Sequence, residues 1–298
     1  NRVFMTALLM LVKYGKRYPY DVPPKIEHVS GHFDVKSIRP TMPYLLHTEY
    51  SYGKRNLNSD ILQKFKTILR SQKAGIPMLW FNDKWSEEFA YFVKELVGRN
   101  MNPKIIEIHP PFNDYSDLET FIKNYRIFEE VISELFPETE IAIENRFGTQ
   151  YRGGEFLISN VIDIMNLSKL ISRFELKLRI ALDVPQLFSA HRYLKGRNLL
   201  NSAQIRDILE RLKKCRDFIV GLHLWGKARD ESGRWKRFHG GDLNTYFDND
   251  MNLKTEFLRL LHDLFDDGKP RYFIPEVLSY TDQSSIISDL KEANFIFI

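Results

Sequence analysis

Cysteine is nearly absent: Cys215 is the only one in 298 residues. That excludes a disulfide framework and any zinc site built from several thiolates. A metal centre in this chain must therefore use His, Asp and Glu. Long apolar runs are also absent. The longest near the start, Val3 to Val12, is about ten residues, against the roughly 20 that a membrane-spanning helix needs. Lys13-Tyr14-Gly15-Lys16 follows it, where a signal peptide carries small residues. The run reads as a buried strand or helix, and the expected location is the cytoplasm, with no membrane partner. Excess charge of one sign is small: 43 Lys and Arg against 39 Asp and Glu, or +4. That permits a nucleic-acid partner without demanding one. No linker, low-complexity stretch or charge block marks a second domain.

What is present is a globular composition, 43% hydrophobic and 28% charged, with 22 Phe and 14 Tyr. The length suits one large α/β barrel. From residue 58 onward, short β-rich runs alternate with longer helical patterns. Asn58 and Ser59 are helix-capping types before a helix to about Ser71. Ile76–Phe81 reads as a strand and Ser86–Gly98 as a helix. Lys104–Ile108 is a strand and Asp117–Phe136 an amphipathic helix. Glu140–Ile143, Leu178–Leu182, Phe218–Leu222 and Arg271–Pro275 are strands. The helices after them run from about Phe156 to Arg173, Ser202 to Cys215, Leu253 to Asp266 and Gln283 to Ala293. Repeated β-then-α units imply a parallel sheet with helices outside. The expected fold is a single-domain TIM (β/α)8 barrel over residues 1–298. Six units follow residue 70, so residues 1–57 must hold two more strands or a cap. Candidates there are Thr6–Val12, Lys25–Val29 and Tyr44–His47.

Polar residues recur at one structural place, the C-terminal ends of the strands. His109, Glu144 (followed by Asn145), Asp183, His223 and Glu276 each end one. In a parallel barrel these ends open on the face where the loops build the site. Any one of them alone is ordinary: a lone His at a strand end is usually hydrogen-bonded structure. Five in phase form an N/O ligand set suited to Zn²⁺, Mn²⁺, Co²⁺ or Fe²⁺. Without a cation, converging carboxylates repel one another.

These stretches resemble the xylose isomerase-like TIM-barrel superfamily, and within it the endonuclease IV branch (AP endonuclease family 2). Ile108-His109-Pro110 is similar to that branch's strand-four His-Pro. Ile143-Glu144-Asn145, with Gly148-Thr149-Gln150 and Gly153-Gly154, resembles its Glu-Asn and glycine-containing loop. Leu182-Asp183-Val184-Pro185-Gln186-Leu187-Phe188-Ser189-Ala190 resembles its Asp-x-x-His-x-Phe-x-Ala. Leu222-His223-Leu224 resembles its His-Leu-Asn-Asp, Arg237-Phe238-His239 its Asp-Arg-His, and Pro275-Glu276 its last-strand Glu. The resemblance covers about residues 104–277. Gln186 stands where the branch has a third-metal His, and Arg237 where it has an Asp, so a third ion is not expected. Phe81-Asn82-Asp83 offers no strand-three His. His47 supplies it only if the strands before residue 70 fall in another register.

The resemblance implies one or two divalent ions, Zn²⁺ or Mn²⁺, held by His109, Glu144, Asp183, His223, His239 and Glu276. In a phosphodiesterase, Glu144 bridges two ions, water attacks phosphorus in line, and Arg146, Arg152, Lys227 and Arg237 meet the phosphoryl charge. The expected substrate is then DNA. In a single-metal sugar or sugar-phosphate isomerase or epimerase, Glu144 and Glu276 move a proton α to a carbonyl. Catalytic roles fall to Glu144, Glu276 and Arg237, and substrate contacts to Asn145, Gln186, Lys227 and Arg146. A degenerate barrel that binds without catalysing is the third class. Two basic loops, His191–Arg197 and the aromatic-rich residues 225–247, favour a phosphate-bearing substrate. Asp242 is a candidate for the lost loop carboxylate. His28, His32 and His262 read as structural or exposed, and Cys215 as inert.

Overall fold

In the computed structural model, residues 6–19, 21–55, 57, 63–148, 154–227, 232 and 239–298 are described, apart from 195–199 and the side chains of 193 and 194. The strands are β1 Leu8–Lys13, β2 Ile26–Gly31, β3 Tyr44–Thr48, β4 Gln72–Lys73, β5 Ile76–Pro77, β6 Ile105–Ile108, β7 Glu140–Glu144, β8 Arg179–Asp183, β9 Ile219–Leu224, β10 Pro270–Pro275 and β11 Ile296–Phe297. Hydrogen bonds order them β10-β9-β8-β7-β6-β3-β2-β1, and β1 pairs with β10 in parallel. Eight parallel strands thus close into a TIM barrel with helices around it. The short β11 adds to β1, in parallel, at Leu8 and Leu9.

This corrects the strand count. All three early candidates are barrel strands, and Ile76–Phe81 is not one. Ile76–Pro77 pairs only with Gln72–Lys73, antiparallel, outside the barrel. The reason lies in its backbone partners. The carbonyls of Pro77, Leu79 and Trp80 accept from Ser51 Oγ (2.7 Å), Tyr115 OH (3.0 Å) and Asn124 Nδ2 (2.8 Å). Trp80 also has φ +59°, a left-handed conformation no strand tolerates. An apolar run of six cannot be told from a strand by periodicity alone.

Contacts divide the chain into two compact units, Glu27–Ala181, and Asn1–Ile26 with Leu182–Ile298. In the first, Trp80 is wholly enclosed by Trp85, Phe89, Phe121 and Phe128, with ring centroids 5.3–5.5 Å away. Most of these contacts are tilted or edge-to-face, the arrangement aromatic quadrupoles favour. The helix Asp83–Val97 starts at Asn82, whose side chain accepts from Trp85 N at 2.8 Å, and Leu118–Leu135 starts at Asp117, which accepts from Thr120 N. Those caps satisfy backbone donors that a helix start leaves open. Asn82 is therefore a helix cap. In the second unit, Tyr272 on β10 lies over Gly221 on β9; a Cβ there would meet its ring at 2.1 Å.

Smaller corrections follow. The helix expected from Asn58 to Ser71 is Lys66–Arg70, with residues 58–62 outside the described set. The one expected from Phe156 begins at Val161, where Asn160 and Asp163 form a capping box. Ser202–Leu212 gives way to a 3-10 turn, Lys213–Phe218, which buries Cys215. His191–Leu194 ends the helix Val184–Leu194 and is not loop. Among the described residues no helix is long and apolar enough to cross a membrane.

Candidate metal centre

In the unit Glu27–Ala181, the β3–β6 register sets His47 opposite Glu107. Alternation along a strand then puts His109 on the same side as Glu107, and Glu144 ends the neighbouring β7. His47, Glu107, His109 and Glu144 are all buried, and each offers a ligand atom within 4.8 Å of the others. Glu144 Oε2 lies 3.0 Å from His109 Nε2 and 3.3 Å from His47 Nε2, while Glu107 Oε1 lies 3.5 Å from His47 Nε2.

The other ring nitrogens say what these are for. His109 Nδ1 lies 3.1 Å from the backbone carbonyl of Glu49, which can only accept. Nδ1 therefore carries a proton, and Nε2 faces the Glu144 carboxylate at 3.0 Å, a contact that either a proton on Nε2 or a cation between the two groups closes. A neutral imidazole oriented through its other nitrogen is the usual metal ligand. Burial and the neighbouring His109 hold the His47 imidazole well below the usual histidine range, against the pull of Glu144. For Glu144, burial raises the carboxyl, but His109, His47 and Arg146 outweigh it and hold the group ionised. The residues thus fit a divalent cation: two imidazoles and two carboxylates, withdrawn from water.

His32, expected to be structural or exposed, touches the set. Its Nε2 lies 3.2 Å from His47 Nδ1. Burial, with Arg55 and His109 nearby, pushes it down to about 2, so it is neutral and can accept from His47. The His47 Nε2 lone pair is then left for an ion. His32→Phe is expected to lower divalent-metal affinity by about 10–100-fold, the usual cost of removing such a partner. Calorimetry with metal-stripped protein measures it, and an unchanged affinity would show that His47 is oriented by something else.

Beside the set, the Tyr50 ring has Arg55 and Arg146 guanidinium carbons each 4.8 Å from its centroid. Arg55 is tied to Glu49, whose carboxylate also accepts from the backbone N of Phe33, Tyr50 and Ser51. Glu49 is thereby used up as structure. Arg146 Nη1 lies 3.5 Å from Glu144 Oε1, an oxygen that accepts no hydrogen bond among the described residues, and Arg146 Nε is likewise buried without one. Asn145, fully buried, follows Glu144 in the chain.

The second unit holds Asp183, His223, His239 and Glu276. Asp183 Oδ1 accepts from Gln186 N at 2.8 Å and Oδ2 from Trp225 Nε1 at 3.0 Å. Glu276 lies between two imidazoles: His223 Nδ1 is 3.5 Å from Oε1 and His239 Nδ1 is 3.5 Å from Oε2. His239 stacks on Trp225, ring centroids 4.5 Å apart. Gly226 allows this loop to close, since a Cβ there would meet the Asp242 carbonyl at 2.1 Å. Asp242 does not replace the missing loop carboxylate. It caps the helix Leu243–Tyr246, and its Oδ2 accepts from Asn244 and Ser285. Arg237, Arg152, Gln150, Lys195 and Arg197 lie outside the described residues.

Lys227 Nζ donates to Ser189 Oγ at 3.1 Å. Burial and Arg192 lower its ammonium to about 8, with Asp183 partly opposing. The unfolded chain keeps its proton to about 10.4, so this lysine adds stability as pH rises from about 8. Its cation is lost over the same rise. Affinity for a phosphate-bearing ligand is therefore expected to fall above about pH 8, and Lys227→Arg to remove that fall. Binding that is flat from about pH 7 to 9 in the unaltered chain would show that Lys227 does not meet the ligand.

Sequence reasoning missed Glu107, His32 and Arg55, and reached His47 only conditionally. The signal for Glu107 was present, a carboxylate inside the run Ile105-Ile106-Glu107-Ile108, two residues before His109.

No known family matches the chain, and no curated protein does. Solved structures do. AsfvAP:AG matches with a TM-score of 0.51 and 11% identity over 97% of this chain and 98% of that one. AP endonuclease, family 2, from Brucella melitensis gives 0.48 and 10% over 97% and 99%. The apo 3-keto-D-glucoside 4-epimerase from E. coli gives 0.43 and 12% over 97% and 98%. At such identities the likeness is one of fold, and the fold is the TIM barrel expected from the sequence.

Proposed function

We propose that this chain is a divalent-metal-dependent phosphodiester hydrolase acting on DNA. The observation that carries the reading is the buried set His47, Glu107, His109 and Glu144, whose ligand atoms lie within 4.8 Å of one another, with His109 oriented through Nδ1 on the Glu49 carbonyl. One ion belongs to that set. A second would be held by Asp183, His223, Glu276 and His239, as the resemblance implies. When bound, such ions polarise a phosphoryl oxygen and acidify water. The chain's own residues do the rest. Arg146, held on the Tyr50 face, and Lys227, held by Ser189, supply positive charge for a phosphoryl group. Glu276, between two imidazoles, would take or return a proton. For Arg237, outside the described residues, the same role rests on the resemblance alone. Support also comes from the order of the His-Pro, Glu-Asn, Asp, His-Leu and Pro-Glu segments along the chain.

The isomerase or epimerase reading has one observation in its favour: Gln186 stands at the third-metal position, so the sequence keeps fewer ligands than the nuclease pattern. Metal analysis of the purified chain together with an abasic-duplex assay decides. The nuclease reading expects about two ions per chain, strand cleavage, and binding that weakens with salt by about 0.9 in log–log slope per neutralised phosphate. One ion with sugar isomerisation and no cleavage replaces it with the second reading. No bound ion overturns both.

A further inference from the structure

We infer that Glu107 is a fourth protein ligand that makes the set His47, Glu107, His109 and Glu144 select a divalent ion of coordination number above four, of the Mn²⁺ type, over Zn²⁺. This rests on the proposed reading that the set holds an ion. It goes beyond the resemblance, which assigns Glu107 no role.

Three observations converge. The first is place. Glu107 Oε1 lies 3.5 Å from His47 Nε2, the nitrogen that also faces Glu144 Oε2 at 3.3 Å. Two donors each about 2.1 Å from an ion can stand at most about 4.2 Å apart. The set already lies within 4.8 Å, so small side-chain shifts suffice. The second is burial. Glu107 is 0% exposed on a strand otherwise built of isoleucine. A carboxylate withdrawn from water in that way costs several kcal/mol unless charge compensates it. The two carboxylates, Glu107 and Glu144, carry the charge that a divalent ion would balance.

The third is ligand count. Zn²⁺ sites that catalyse keep three protein ligands and one open position, whereas four protein ligands make the closed, structural kind. With His47, His109, Glu144 and Glu107 all bound, Zn²⁺ is left no position for water or substrate. An ion that takes six ligands keeps two. A second carboxylate also moves the donor set toward oxygen, which suits Mn²⁺ and Mg²⁺ better than a nitrogen-rich set does. Glu107 therefore decides which ion leaves this site open.

The test is calorimetric titration of the metal-stripped full chain with MnCl₂ or ZnCl₂ alone. An Asp183→Asn, Glu276→Gln background silences the other ligand set. Glu107→Gln is expected to weaken Mn²⁺ binding by at least about tenfold and Zn²⁺ binding by clearly less. Water-proton relaxation of bound Mn²⁺ should report an additional exchangeable water in the variant. Unchanged affinity for both ions overturns the inference, as does an equal loss of both. If the background chain itself binds neither ion, the metal reading of the site fails as well, which separates the two failures. Circular dichroism checks the fold. Should the Gln variant not fold, Glu107→Asp keeps the charge but withdraws the oxygens, and the same selective loss of Mn²⁺ is expected.

Discussion

A Glu144→Gln chain is expected to fold, to lose the ion of the His47–Glu107–His109 set and to lose turnover by about 10³-fold or more, the scale of losing a dominant electrostatic interaction with the transition state. The geometry separates these effects. Glu144 Oε2 faces two imidazole nitrogens, at 3.0 and 3.3 Å. A glutamine amide has the same shape and can turn its NH₂ toward both, donating to the lone pairs an ion needs. Packing survives while the ligand atoms are occupied. Glu144 is held ionised beside the buried Arg146, and removing one partner of such a pair is destabilising, so metal-free protein should melt lower than the unaltered chain. Turnover, metal content and melting temperature measured on one preparation check all three. Full activity in this variant would sink the metal mechanism.

The largest loss of stability is expected at Trp80. Its indole is fully buried among Trp85, Phe89, Phe121 and Phe128, and Nε1 donates to the His109 carbonyl at 2.7 Å. Trp80→Ala should cost about 3–5 kcal/mol, the usual range for emptying a large aromatic site. Melting should fall on the order of 10 °C. Because the bond to the His109 carbonyl goes with it, the loop that aims His109 loosens as well. Trp80→Phe refills most of the space without the N–H. It should recover most of the stability yet bind metal more weakly than the unaltered chain, which metal titration and thermal unfolding together would show. Metal affinity fully restored by Phe would mean the N–H bond does not position His109.

Strand ends at His109, Glu144, Asp183, His223 and Glu276 were readable from the sequence because a charged residue closing an apolar run stands out. The barrel's first part was harder. Lys25–Val29 and Tyr44–His47 are short and lie among Pro and Tyr, with no following helix to mark the unit. Ile76–Phe81 looked like the better strand. What demoted it were hydrogen bonds from Ser51, Tyr115 and Asn124, all distant in sequence. That single error hid His47, near the end of β3. Glu107 and His32 were invisible for another reason. Their importance lies in which nitrogen of His47 each one faces, and spacing along a chain carries no such information. Asp242 misled in the opposite sense: Asp is common both as ligand and as helix cap, and only its partners decide.

The pairing of β1 with β10 and β11 also sets an order of events. β1 precedes its partners in this part of the ladder, Pro270–Phe273 and Ile296–Phe297, by more than 250 residues. At synthesis rates of roughly 5–20 residues per second, that edge waits at least about 13 seconds for its neighbour. An apolar strand with open backbone groups is a template for pairing with other chains during that interval. Closure of the barrel is therefore a late step, and the burden of keeping β1 from aggregating falls on the time of translation more than on the finished fold.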